Sequence, residues 1–122
     1  MKTWDEHKKE CSEIYDKKWE EMETFRSQCE NIVKEWSDDK LTDEKRKWEK
    51  GGFVGGKKEL LKRWIGEQYM YEKPAYDEYS ARKREENFES AMENHREWAE
   101  DEAEQTFKYQ IIVAEITRRK NQ

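Results

Sequence analysis

Gly51-Gly52-Phe53-Val54-Gly55-Gly56-Lys57-Lys58 has the spacing of a phosphate cradle: a glycine, four residues, a second glycine and a lysine. Backbone amides freed by the glycines, beside a lysine at the start of a helix, would hold a phosphate there. The last position disagrees. Lys58 stands where a magnesium-binding Ser or Thr is required, and Lys47-Trp48-Glu49-Lys50 upstream is no buried apolar strand. The stretch reads instead as a flexible joint, 51–56, between two helices. What survives is a basic segment, 45–63, whose lysines and arginines interleave with Trp48, Phe53 and Trp64. Residues 38–73 carry ten basic and eight acidic side chains, a local excess of +2 in a chain of formal charge −5. Lys57, Lys58, Lys62 and Arg63 are therefore candidate anion-binding residues, with neighbouring aromatic rings available to stack on bases.

The opposite charge collects near the C-terminus, where Glu85, Glu89, Glu93, Glu97 and Asp101 form a ladder at i,i+4 spacing with Glu100, Glu102 and Glu104 beside it. Like charges at that spacing weaken an isolated helix by a few tenths of a kcal/mol per pair, so the ladder wants a cationic counterpart. The basic middle segment folding back, divalent ions or a basic surface on another protein would supply one.

Catalytic and metal chemistry find little support. Neither His7 nor His95 follows a Glu by three residues, since Trp4 and Met92 stand there, so the Glu-x-x-His pattern of metal-binding bundles is missing. Cys11 and Cys29 lie on one expected helix, roughly 27 Å apart, too far for a disulfide. Without a Cys-x-x-Cys, a structural zinc site is not expected, and two unpaired thiols suit a reducing compartment. Catalytic residues, metal and cofactors are accordingly all expected to be none.

The elements that must position these residues are helical. Trp4, Lys8, Cys11, Tyr15, Lys18, Met22, Phe25, Cys29, Ile32 and Trp36 alternate steps of four and three, which predicts one amphipathic helix over 3–36 with Thr3 as its cap and Ser37-Asp38-Asp39-Lys40 as its end. Thr42 would cap a short helix that Gly51 and Gly52 stop near Lys50, and a third helix would run from Lys57 or Lys58 to Tyr71. Pro74 fits the first turn of a last long helix, 75–118. Residues 107–113 alternate in a way that also allows a strand, but nothing else in the chain has the character to pair with one.

The fold class expected is all-α: an elongated antiparallel helical hairpin or irregular helical bundle, one domain over 1–122, with two long arms and short connecting helices across 37–73. No apolar run approaches the ~18 residues of a membrane span, the longest being Ile111-Ile112-Val113-Ala114. The N-terminus lacks the apolar stretch of a secretory signal, so the chain reads as cytoplasmic or resident in another reducing compartment.

Function is read from the kind of apolar residue. Three Leu, six Ile, three Val and four Phe make a thin aliphatic supply, against six Trp and six Tyr. Trp and Tyr combine a large apolar body with a polar handle and are enriched at interface hot spots. The leading expectation is a non-enzymatic interaction protein, a helical assembly subunit or small inhibitor or adaptor, docking on a protein partner or on itself. Trp48, Phe53, Trp64, Trp98, Phe107 and Tyr109 are its candidate anchors. The alternative is a phosphate- or nucleic-acid-contacting module using the basic segment.

Overall fold

The computed structural model describes residues 3–52, 54–72 and 74–122, and these form five helices and no strand: α1 (Trp4–Glu23), α2 (Arg26–Lys34), α3 (Asp38–Gly51), α4 (Gly56–Glu72) and α5 (Glu78–Lys120). Local chemistry sets their ends. Thr3 accepts the Glu6 amide at 3.2 Å, as its type suggests. Ser37 does the same for Lys40 at 3.1 Å, so Ser37-Asp38-Asp39 opens α3 rather than merely ending what precedes it. Asp38 and Asp39 in that first turn suit the positive end of the helix dipole. Thr42, the expected cap, lies inside α3 and donates its hydroxyl to the Asp38 carbonyl. Asp77 caps α5 by accepting the Ser80 amide at 2.7 Å, which leaves Pro74 in the linker ahead of the helix. Residues 107–113 are helical.

The first arm is not one helix. Thr24 donates its hydroxyl to the Glu21 carbonyl at 2.6 Å, and Phe25 adopts φ −109°, ψ 9°, which separates α1 from α2. The break rotates the seam. Val33, which widens the expected apolar stripe, is buried, whereas Phe25 and Ile32, both expected on the seam, face solvent.

The arms run parallel, not antiparallel. Contacts between the first arm and α5 ascend together: Trp4 meets Phe88, His7 meets His95, Trp19 meets Phe107, and the Lys34 carbonyl meets Arg119. The middle segment runs the other way, with Asp38 at Arg119, Glu49 at Tyr109 and Gly56 at Glu102. Residues 37–73 are thus a full return arm rather than a connecting end. Leu41, Trp48, Leu60 and Trp64 give that segment its own apolar stripe. Its two helices together are roughly as long as α1 and α2 together, about 45 Å at 1.5 Å per residue. A return arm of full length brings α5 back beside α1 in the same direction.

Two apolar clusters fill the space between the three arms. Cys11, Tyr15, Leu60, Trp64, Ala99 and Ala103 form one, and Val33, Leu41, Phe107, Ile111 and Ile112 the other, with Trp19 touching both. Every other helix packs on α5.

Arg119 pins the turn between α2 and α3 to the end of α5. Its guanidinium donates to the Trp36 carbonyl at 2.7 Å, the Lys34 carbonyl at 3.1 Å and Asp38 at 2.7 Å, while its Nε reaches Glu115 at 2.9 Å. These carbonyls belong to the end of α2, where no intrahelical donor exists. Hydrogen bonds from Arg118, then from Arg119, hold the Glu115 carboxyl down to about 2. Its contribution is present above the ordinary 4.5 and is lost only as pH falls toward 2. Arg119→Ala is expected to lower the unfolding free energy by about 1.5–3 kcal/mol in urea titrations, with Arg119→Lys recovering only part because an ammonium lacks the planar fork. A loss below 0.5 kcal/mol, by the order-of-magnitude scale for exposed pairs, would reduce the clamp to an ordinary surface contact.

Candidate functional site

The glycine joint leads into an internal carboxylate. Gly56 takes φ +76° at the start of α4, and its amide donates to Glu102 Oε1 at 2.8 Å. Glu102 is fully buried on α5. The second oxygen, Oε2, receives no hydrogen bond among the described residues and lies 3.8 Å from Arg63 Nη1. Burial pushes the Glu102 carboxyl above its usual range, opposed by the Gly56 amide and the Arg63 charge. Beside it, the Tyr15 hydroxyl is raised by the same desolvation and then by the Glu102 charge. The end of α4 that would greet a phosphate already faces a carboxylate of the chain's own.

The four candidate anion-binding residues scatter accordingly. Lys57 pairs with Asp16 on α1 at 2.8 Å and lies over the Tyr15 ring. Arg63 turns to Glu102 and to the Gly52 carbonyl, and Lys62 pairs with Glu59 at 3.2 Å. Lys58 is exposed, with no ion pair among the described residues.

A second buried polar group links the two long arms. His7 Nε2 and His95 Nδ1 are 3.0 Å apart, both rings fully buried, and Cys11 Sγ lies 3.8 Å from His7 Nε2. Trp4 and Trp98 pack against the His95 ring at 6.1 and 5.0 Å. Desolvation lowers the His95 pKa from its ordinary value. Sequence spacing gave no hint of this pair, because 88 residues separate its members and only the parallel direction of the arms brings them together. Among the described residues no group of three His, Cys, Asp or Glu side chains is arranged to hold a metal ion.

No protein-family model, characterised protein or solved structure matches this chain. Its chemistry therefore has to be read from its own surface and interior.

The six candidate anchors are mostly interior. Trp64 and Phe107 are completely buried, each at the centre of a cluster. Trp98 packs against the first cluster and Trp48 against the second, both partly covered. Tyr109 donates its hydroxyl to Glu49 at 2.8 Å. Phe53 lies outside the described residues. Three arms leave more volume than so few aliphatic side chains fill, and the large rings fill it, so Trp64 and Phe107 are core and not offered to a partner.

Exposure falls on a different set. Ile65, Tyr69, Tyr76 and Tyr79 are all more than half exposed, Tyr76 at 95%. Ile65 and Tyr69 lie on the later turns of α4, Tyr79 on the first turn of α5 and Tyr76 in the linker between them. The acidic ladder runs along the same half of α5. Glu85, Glu93, Glu97 and Asp101 are exposed and make no ion pair among the described residues, while the Glu89 side chain lies outside them. The basic segment makes no ion pair with the ladder among the described residues: Lys57, Lys45, Lys62 and Arg63 pair instead with Asp16, Glu49, Glu59 and Glu102. A groove of about 270 Å³ lies between α2 and α5, with Val33, Ile111 and Ala114 in its lining and Arg26, Lys34 and Arg118 around it.

Proposed function

We propose that this chain is a non-enzymatic protein-protein interaction protein, a helical assembly subunit or a small inhibitor or adaptor. It docks through the α4–α5 end of the bundle. The observation that carries the reading is the exposure of Ile65, Tyr69, Tyr76 and Tyr79 after both apolar clusters have closed without them. In a chain so short of apolar residues, four large ones left in water at one end, apart from Phe25 and Ile32 on the first arm, are a cost to solubility that a bound partner removes. The unpaired carboxylates along α5 favour a partner with a basic surface and would steer it in. Cys11, buried, and Cys29, half-buried, form no disulfide among the described residues, which suits a reducing compartment. No helix among the described residues is long and apolar enough to cross a membrane. The alternative, a nucleic-acid or phosphate contact, draws on no comparable observation, since Lys57 pairs with Asp16 and Arg63 with the buried Glu102.

The test is affinity capture from cells that express the protein, wild type beside Tyr76→Ser/Tyr79→Ser. Both residues are solvent-exposed, so the double variant is expected to keep its helical circular dichroism and thermal midpoint. It should lose at least tenfold in recovery of whatever the wild type specifically retains. Equal recovery by both proteins would move the interface elsewhere, and a wild type that is monomeric by sedimentation and retains nothing specifically would end the interaction reading.

A further inference from the structure

We infer that the buried His7–His95 pair is an acid-sensitive latch, holding the first turns of α1 against α5 near neutral pH and releasing them, and them alone, when the pair takes up protons. The geometry carries the inference. Two fully buried imidazoles share one hydrogen bond at 3.0 Å, which needs one ring to donate and the other to accept. His95 Nε2, the far nitrogen, is buried with no hydrogen-bond partner among the described residues. A first added proton places a charge between the rings of Trp4 and Trp98, away from water. A second sets N–H against N–H and breaks the bond.

Among the described residues, burial and not an opposite charge sets the His95 ring's preference. On α1, Cys11 is the titratable neighbour, and Glu10 is already committed to Arg96 on α5 at 2.9 Å. Lys8 and Asp5 pair with one another on the outer side of α1. From α4, the residues reaching the adjoining cluster are Leu60, Leu61 and Trp64, all uncharged. Desolvation disfavours the charged imidazole, so the folded form binds the His95 proton more weakly than the unfolded chain does. Stability from the neutral pair is therefore full above the ordinary histidine value of 6.5 and is lost as pH falls below it.

Release stays local because the other parts of α5 respond differently. Glu115, in the Arg119 clamp, remains ionised down to about 2. Glu102, between the two ends, is raised and is relieved rather than strained by acid. Of the three buried titratable sites along α5 among the described residues, His95, Glu102 and Glu115, the first alone loosens in mildly acidic solution. Trp4, Phe88 and Trp98 lose their cover when it does.

The experiment is amide hydrogen exchange on the wild-type chain at pH 7.5 and 5.0, with protection corrected for intrinsic rates, alongside the NMR titration of both imidazole rings. Protection over residues 4–11 is expected to fall at least tenfold, following the His95 midpoint, while residues 107–119 change less than twofold. His7→Leu/His95→Leu should erase the difference between the two pH values. The inference is overturned if His95 titrates at or above its ordinary value, if protection falls equally across α5, or if the double variant keeps the same pH response. Should that variant not fold, the wild-type titration and exchange pattern alone decide.

Discussion

Replacing Phe107 with Ala is expected to remove about 3–5 kcal/mol of unfolding free energy, the range for deleting a buried aromatic ring. Domains of this size are stable by about 5–15 kcal/mol, so the variant should approach the edge of folding, with a thermal midpoint roughly 10–20 °C lower. The loss is large because Phe107 is where all three arms meet. It packs with Leu41 of the return arm and Val33 of α2, receives the Trp19 ring edge-on at 5.2 Å, and lies under the Arg26 guanidinium at 4.6 Å. Collapse of the surroundings into the cavity is hindered by the helical backbone on each side. Phe107→Leu keeps most of the volume and should lose no more than about half as much, for the order-of-magnitude reason that cavity size scales the penalty. Urea denaturation of both variants checks this. Losses of less than about 1 kcal/mol for the alanine would mean that Phe107 is not the packed centre of its cluster.

Glu102 should show two opposite effects from two substitutions. Glu102→Ala strips the Gly56 amide of its acceptor and removes the carboxylate 3.8 Å from Arg63 Nη1, a loss of about 2–3 kcal/mol for hydrogen bonds involving a charged group. Glu102→Gln keeps a carbonyl acceptor and carries no charge to desolvate, so at pH 8 it should be as stable as the wild type or more so. The sign follows from linkage. Because burial raises the folded carboxyl above 4.5, the wild type holds its proton more tightly when folded, and stability from that site is full below 4.5 and declines as pH rises through the raised value. The glutamine variant should lack this decline. Measured between pH 4 and 8 by urea unfolding, the difference between the two proteins should grow with pH in favour of glutamine; a difference flat with pH would show that Glu102 is not raised.

The helical character of the chain was legible because apolar spacing and caps act locally. The four-three seam marked α1, Leu60 and Trp64 marked the buried stripe of α4, and Gly52 in its left-handed conformation ended α3 where expected. Direction was not legible. A seam says which face of a helix is buried and nothing about which way its neighbour runs, so parallel and antiparallel arms have the same pattern. The His7–His95 pair was invisible for the same reason, since it exists only in the parallel arrangement. By residue type Glu102 reads as one more member of the acidic side of α5. The available signal was its register: Ala99, Ala103 and Thr106 flank it at three before, one after and four after, all buried, whereas the ladder residues Glu93, Glu97 and Asp101 are exposed. Residue type misled at the aromatics. Trp and Phe serve cores and interfaces alike, and only the volume between three arms distinguishes Trp64 and Phe107 from Tyr76 and Tyr79.

The parallel arms impose an order of events on synthesis. His7 and its partner are separated by 88 residues, and Trp4 and Trp19 find their aromatic partners on α5 at similar remove. At about 5–20 residues per second, roughly 4–18 s pass between the making of the first arm and the arrival of the helix that covers it. During that interval the return arm is the only part of the chain able to shelter the first, through the α1–α4 contact. Contacts that span most of the chain also slow folding, because the ends of a long loop must meet before they are stabilised. For a newborn chain, α5 is made after the four helices that all pack on it.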